Sequence, residues 1–502
     1  MLKESAGTMP KHQTKASSIW TTFDQRRERI RNARKPKSRS TSSWIVKAVL
    51  PLVLLIIASI TVLLPPSLSV AARLSLFSFV ATVILWSTTA LNAAFVALSA
   101  VVFLVLTGAI PQEKLYQSLA SDVIWLMIGA FILGGAVQQT GLAARLTQMV
   151  VSRARTVGSL LWLLTAMVFP LCFFIPSTSG RAAVVIPIFR SIASTIHDRR
   201  ITRAIAILMP TVILVSTIGT LIAAGSHLIA NDLLAQTTQQ SISFAQWALY
   251  GVPFGVVASL VSCWVILHLF LDRKRRNLKI VLPTAVSKPF TLPEWTTMSV
   301  VLCMVILWLS EAWHGYKIAT ITVAGALILT TPKLGVMKWK DALKAVSWNL
   351  IIFVGAALVL GKSLIETGAA QWIIDNLFVL SGVTNADSKL LILLILSLIS
   401  LTSHLYMTSH TARAVALVPA MLYLATSLNL NPTAVLFLST VGMDYCLTFP
   451  VSSKALLMFQ EIDGETYKAS DLLRFSAVML PVHLVLMLVF YFTYWSRIGL
   501  SL

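Results

Sequence analysis

Two short blocks carry most of the polar chemistry in the apolar body of this 502-residue chain. The first reads Ser177-Thr178-Ser179-Gly180-Arg181-Ala182, with Pro187 five residues on. The second reads Ser409-His410-Thr411-Ala412-Arg413-Ala414, with Pro419 five residues on. Serine, arginine, alanine and proline recur at a single offset of 232. Hydroxyls and an imidazole so placed can hydrogen-bond a small anion, and a guanidinium can pair a carboxylate or sulfate through two parallel bonds. The structural alternative is that the hydroxyls bond back to helix carbonyls and each arginine braces irregular backbone. Either way both places are positive. A charge at mid-bilayer costs roughly 2.5–3.5 kcal/mol on insertion scales, so two at equivalent positions call for a reason.

Two further places interrupt apolar runs. Gly219, Thr220, Gly225, Ser226 and His227 lie within 204–234, and Asp444, Ser452, Ser453 and Lys454 within 432–460. Such residues inside a membrane helix are tolerated where the freed backbone faces protein or a cavity. The resulting half-helix ends offer N–H groups to an anion and carbonyls to a small hard cation. His227 and Lys454 align at an offset of 227; the lysine either offsets a buried anion or snorkels to the interface. Asp444 is a buried-carboxylate candidate for proton coupling, or else a partner of Lys454 or a backbone cap. Lys362 and Glu366 read as an i,i+4 pair. The chain has no Walker A, HExxH or GxSxG sequence and no metal-ligand cluster. That argues against ATP-driven transport by this chain alone and against an enzyme. No cofactor is expected beyond a sodium ion or proton as coupling ion.

These residues need a scaffold that buries them. The chain is 57% apolar and 12% charged, against about 25% charged in soluble domains. This excludes a soluble enzyme, a disordered scaffold and a nucleic-acid-binding domain, and leaves an all-α polytopic membrane protein in contact with lipid. The four cysteines lie within apolar runs without a CxxC spacing and read as core residues. A span needs ~20 apolar residues. Spans fall at 45–64, 73–88, 91–109, 123–141, 204–234, 247–271, 294–312, 317–331, 348–367, 432–460 and 473–496, about eleven by this criterion. The stretches 158–195 and 390–425 hold the two polar blocks at their middles, and their short arms suit re-entrant hairpins. Trp44, Trp247, Trp295, Trp313, Trp348 and Trp495 sit at span ends, as an interfacial belt would.

Residues 1–44 are basic, lack an apolar signal region and read as a disordered cytoplasmic tail. With the N-terminus inside, thirty of the 40 basic residues fall in inside segments and five outside. That asymmetry fits an inner-membrane protein whose C-terminus is outside. Gln139-Thr140-Gly141 also matches Glu366-Thr367-Gly368 at offset 227. The chain therefore divides into the tail, a first helix with its connection (45–72) and two repeats, 73–292 and 293–502. Each repeat has an odd number of crossings, so the two are inverted, and such repeats place substrate near the midplane at their interface.

From about residue 70 onward the sequence resembles the divalent anion:sodium symporter family, within the wider ion-transporter superfamily. Ser177-Thr178-Ser179 and Ser409-His410-Thr411 stand where that family has paired Ser-Asn-Thr motifs. The helix ends Thr140-Gly141-Leu142 and Thr367-Gly368-Ala369 match as well. The resemblance implies an elevator-type transporter, commonly a dimer, whose tips bind substrate carboxylates and sodium, here near Ser177, Thr178, Ser409 and Thr411. An arginine after the motif resembles the sodium-independent exchanger branch. Both asparagines are replaced, by Thr178 and His410. The family's Gly-Thr-Pro-Pro-Asn-type loops give way to Ala224-Gly225-Ser226-His227 and Ser452-Ser453-Lys454. The expected function is secondary transport of a di- or tricarboxylate or a sulfate-like anion, by exchange or with a proton. The alternatives are a cation/proton antiporter or metalloid exporter built on Asp444, and a transport-inactive anion sensor.

Overall fold

The computed structural model describes residues 41–63, 68–89, 91–280, 289–372, 389–462 and 464–502; the basic tail expected over 1–44 lies outside the described residues up to residue 40. The described part is helical. In chain order the helices used below are α1 (Thr41–Leu63), α2 (Val70–Thr88), α3 (Ala93–Leu106), α4 (Asp122–Thr140), α5 (Leu142–Val151), α6 (Val157–Val168), α7 (Thr178–Thr195), α8 (Arg199–Val215) and α9 (Gly225–Thr238). They continue with α10 (Phe244–Phe270), α11 (Leu292–Leu309), α12 (Ile318–Thr330), α13 (Trp348–Glu366), α14 (Lys389–Thr402), α15 (His410–Ser427), α16 (Pro432–Asp444), α17 (Lys454–Gln460) and α18 (Ala469–Thr493). Of the described residues, those up to Leu54 belong to one unit and those from Leu55 onward to another. Within the first, Val49, Leu50, Leu52 and Val53 of α1 are exposed, as suits a helix in lipid.

Among the described residues, seven helices are long and apolar enough to cross a membrane, and five more apolar helices are shorter. Expected spans 91–109 and 317–331 shrink to α3, 14 residues, and α12, 13 residues. At 1.5 Å per residue these reach only about 20 Å, because Asn92 caps α3 at its start and Thr331 ends α12 in extended backbone. The long stretches 204–234 and 432–460 are not continuous helices. The first is α8, two 3₁₀ turns (Thr217–Gly219 and Leu221–Ala223) and α9. The second is α16, an extended segment, a 3₁₀ turn (Pro450–Ser452) and α17.

The breaks sit at the centre of the core. Every residue from Ala204 to Ala224 is buried, and so is every residue from Ala434 to Thr448. A buried break needs partners for the carbonyls that the helix end releases. Around the breaks α9 packs on α15 and α17 packs on α7, so each broken segment lays its second helix against the helix that opens with the other polar block. Gly141 and Gly368, matched in sequence, both follow helix ends with positive φ, +69° and +78°, the left-handed stop that glycine adopts without strain. Gly251 on α10 allows a close approach instead: a Cβ there would stand 2.0 Å from the Ile218 carbonyl oxygen in the first 3₁₀ turn.

The tryptophan belt holds only in part. Trp295, Trp313 and Trp348 are exposed, but Trp247 and Trp495 are fully buried. Their indole N–H groups donate to the carbonyls of Ile218 (3.0 Å) and Tyr250 (2.9 Å), which makes them core residues. Of the cysteines, Cys303 is exposed and the other three are buried. Glu366 lies nearer to Lys114 (2.8 Å) than to Lys362 (3.7 Å), so the expected i,i+4 pair is the weaker half of a three-residue cluster.

Candidate functional site

The two polar blocks fold alike. Each opens an 18-residue helix, α7 or α15, with a proline inside it. Ser177 caps α7 by accepting from the Gly180 N–H at 3.3 Å, and its hydroxyl lies 3.0 Å from that of Ser179. Ser409 caps α15 by accepting from the Ala412 N–H at 3.3 Å and lies 3.0 Å from the Thr411 hydroxyl. A serine with extended backbone in front of a helix satisfies one of the helix's orphan N–H groups. That local preference fixes both tips. Thr178, Ser179, His410 and Thr411 remain half-exposed there.

Behind each tip the arginine is fully buried. The Arg181 guanidinium reaches the broken end of α8. Nη1 donates to the Ile213 carbonyl at 2.9 Å and the Ser216 hydroxyl at 3.2 Å; Nη2 donates to the Thr217 hydroxyl at 3.0 Å and the Ala223 carbonyl at 3.2 Å. Arg413 donates from Nη1 to the Tyr445 carbonyl at 3.5 Å. Ile213 and Tyr445 are themselves 232 residues apart, so the sequence repeat extends to the hydrogen-bond acceptor. Orphan carbonyls at a helix C-terminus carry partial negative charge, and a cation there satisfies them. The arginines thus stand as braces of the two breaks, behind the tips rather than at their surface. Arg413 keeps Nε and Nη2 unbonded, whereas Arg181 leaves only Nε so.

The same geometry tests the fit of sodium. Hard cations are bound by oxygen ligands. The Ile213, Ala223 and Tyr445 carbonyls, which are oxygens of that kind, accept from guanidinium groups. A second cation beside them would be opposed by like charge. The Ser177 and Ser409 hydroxyls each accept one cap bond and keep a further lone pair, so the misfit lies with the break carbonyls. These residues do not fit a sodium site at the breaks.

The candidates on the broken segments separate into two groups. His227 and Asp444 come together: Nε2 of the imidazole lies 2.8 Å from Oδ2 of the carboxylate. Nδ1 of His227 is 3.0 Å from the Thr220 carbonyl oxygen, and the ring stacks on Trp247 at 4.9 Å. His410 adds Nδ1 at 3.9 Å from Asp444 Oδ1 and holds the Cys446 sulfur at 2.9 Å from Nε2. Gly219 lies in the first 3₁₀ turn. At Gly225 a Cβ would meet Thr411 at 3.4 Å, which places the start of α9 against the second tip. Ser226 and Ser452 are buried with hydroxyls that bond nothing, while Ser453 caps α17. Lys454 is exposed and lies apart from Asp444's partners.

A second polar chain has no counterpart in the residues singled out by spacing. His404 receives at Nε2 the Thr448 hydroxyl at 2.7 Å; Thr448 lies 2.7 Å from Ser476, and Ser476 lies 2.9 Å from the Tyr445 hydroxyl. His404 Nδ1 donates to the Leu401 carbonyl at 2.8 Å, which leaves Nε2 to accept. Intramembrane ionisable residues are functional candidates by default, and His404, six residues before His410, carried that signal.

The sequence profile described as the sodium:sulfate symporter transmembrane region matches residues 43–501. A "Membrane protein" of Cupriavidus necator is 26% identical over 396 residues, 76% of each chain. The "Sodium-dependent dicarboxylate transporter SdcS" of Staphylococcus aureus is 23% identical over 405 residues, covering 73% of this chain and 76% of its own. Among solved structures, the YdaH transporter of Alcanivorax borkumensis superposes with a TM-score of 0.54 at 12% identity, over 91% of this chain and 99% of that one; this is a likeness of fold alone.

Proposed function

The chain belongs to the sodium:sulfate symporter family, and from that premise we propose that it is a secondary transporter of a small divalent or organic anion, a di- or tricarboxylate or a sulfate-like ion. The observation that carries this reading is the matched pair of serine-capped tips, each backed by a buried arginine. The half-exposed Thr178, Ser179, His410 and Thr411 and the N-terminal ends of α7 and α15 offer hydrogen-bond donors to an anion. The arginines hold the breaks in place and add positive field. On this reading the repeats 73–292 and 293–502 are inverted, 158–195 and 390–425 are re-entrant, and transport proceeds by an elevator movement. The protein sits as a homodimer in the bacterial inner membrane with its N-terminus inside.

Coupling is by exchange or with a proton, without sodium, and the support is the use of break carbonyls by guanidinium groups. The test is thermal unfolding of purified protein with succinate, citrate and sulfate, each in sodium and in choline medium. Saturation at ~100 times Kd adds about 2.7 kcal/mol of apparent stability, so a binding anion raises the Tm equally in both media. A Tm rise that requires sodium would sink the coupling argument, and no rise with any anion would sink the substrate class.

A further inference from the structure

His227 and Asp444 are 217 residues apart in sequence and meet inside the protein at 2.8 Å. His227 is wholly buried and Asp444 is 4% exposed. The ring's other contact decides where the protons lie. A carbonyl oxygen can only accept, so Nδ1, 3.0 Å from the Thr220 carbonyl, carries hydrogen. Nε2 then either carries a second hydrogen and faces a carboxylate, or accepts from a protonated Asp444. In both cases one proton lies between Nε2 and Oδ2. Without it, an imidazole lone pair would face a carboxylate oxygen in a buried place, an arrangement that costs rather than stabilises. Contact between the pair therefore requires one shared proton.

We propose that His227 and Asp444 form a proton-operated latch between the two broken segments, and that this proton travels with the anion. The inference rests on the transport reading above and names its coupling group. With the proton on, α9 of the first broken segment is tied to α16 of the second. When the proton leaves, α9 and α16 part. A proton taken from one side and released on the other breaks and makes only N–H or O–H bonds.

The groups facing the pair bear on when it titrates. From α15 come His410, 3.9 Å from Asp444 Oδ1, and Arg413; Cys446 holds His410 from the far side. Arg181 on α7 donates to Thr217 and Ala223 on either side of Thr220, the partner of His227, and His483 on α18 lies 5.1 Å from the Tyr445 ring. His404, in the turn after α14, lies 5.5 Å from the neighbouring Tyr445 ring. α10 contributes the uncharged Trp247. Of these neighbours, Arg181 and Arg413 are the permanently charged ones.

The experiment uses full-length protein in liposomes that enclose a pH-sensitive dye and unlabelled succinate, with labelled succinate outside. Asp444→Asn can donate an amide N–H to Nε2 and so imitates the proton-bound pair. It should exchange succinate at a rate of the same order as wild type, yet a succinate gradient should move no protons above the protein-free background. Wild type should move protons with succinate. Proton movement by Asp444→Asn equal to wild type would overturn the latch. His227→Gln, which keeps a donor to Asp444, carries the same comparison if the first variant fails to fold. Infrared difference spectra across a pH step supply a readout that needs no transport: a titrating band in wild type, lost in both variants. If wild type exchanges no succinate but shows that band, the transport reading fails and the latch stands; if the band is missing from wild type, the latch fails.

Discussion

Arg181 and Arg413 hold the same place in the repeat but not the same number of partners. Arg181 makes four hydrogen bonds to the first break, Arg413 a single long one to the second. Each buried acceptor left without a donor costs about 1–3 kcal/mol. Arg181→Gln should therefore lower unfolding stability by more than Arg413→Gln, on the order of 3 kcal/mol more, readable in urea unfolding or as a Tm difference. Arg181→Lys should not restore it, because a point charge cannot reproduce a planar fork aimed at two carbonyls and two hydroxyls. Equal losses in the two glutamine variants would contradict the bracing role. The arginines and the two polar blocks were legible in sequence because their cues are local: polar residues in a fixed order, a proline five residues on, and a repeat; that the serines cap the helices emerged only from the fold. The pairing of His227 with Asp444 was not, since residues 217 positions apart become neighbours only when α9 packs against α15 and α16.

At the scale of elements, the breaks survive because neighbours are shaped around them. Gly251 gives the Ile218 carbonyl room, and Trp247 one turn earlier donates to it. Gly251→Ala should destabilise by about 1–3 kcal/mol through overpacking, measured by thermal unfolding, while the same change at exposed Gly315 would test a strained φ instead of a clash. The basic end of α8 is fixed by Asp198. Partial burial raises its carboxyl, but hydrogen bonds from Arg275 and from the Arg200 and Ile201 N–H groups outweigh that and hold it below the usual carboxylate range. A depressed carboxylate contributes stability above its unfolded value, ~3.9, that is lost as pH falls through its folded value. Asp198→Asn keeps a capping side chain and removes the charge. Its Tm should fall below wild type at neutral pH, and the gap should close on acidification. A gap independent of pH would refute the ion-pair account. Apolar pattern located the two long stretches and the small polar residues inside them marked the breaks, but not what satisfies the released carbonyls, because those partners come from other elements.

For the whole molecule, composition indicated a membrane and the family match agrees. The anion class rests on two tips that the sequence repeats and the fold builds alike. The most direct measurement is uptake of labelled succinate, citrate and sulfate by liposomes holding the purified protein and preloaded with the same unlabelled anion, in sodium and in choline medium. The account predicts saturable uptake of at least one of these anions at equal rates in the two media. Uptake of none, or uptake that appears only with sodium, would contradict it.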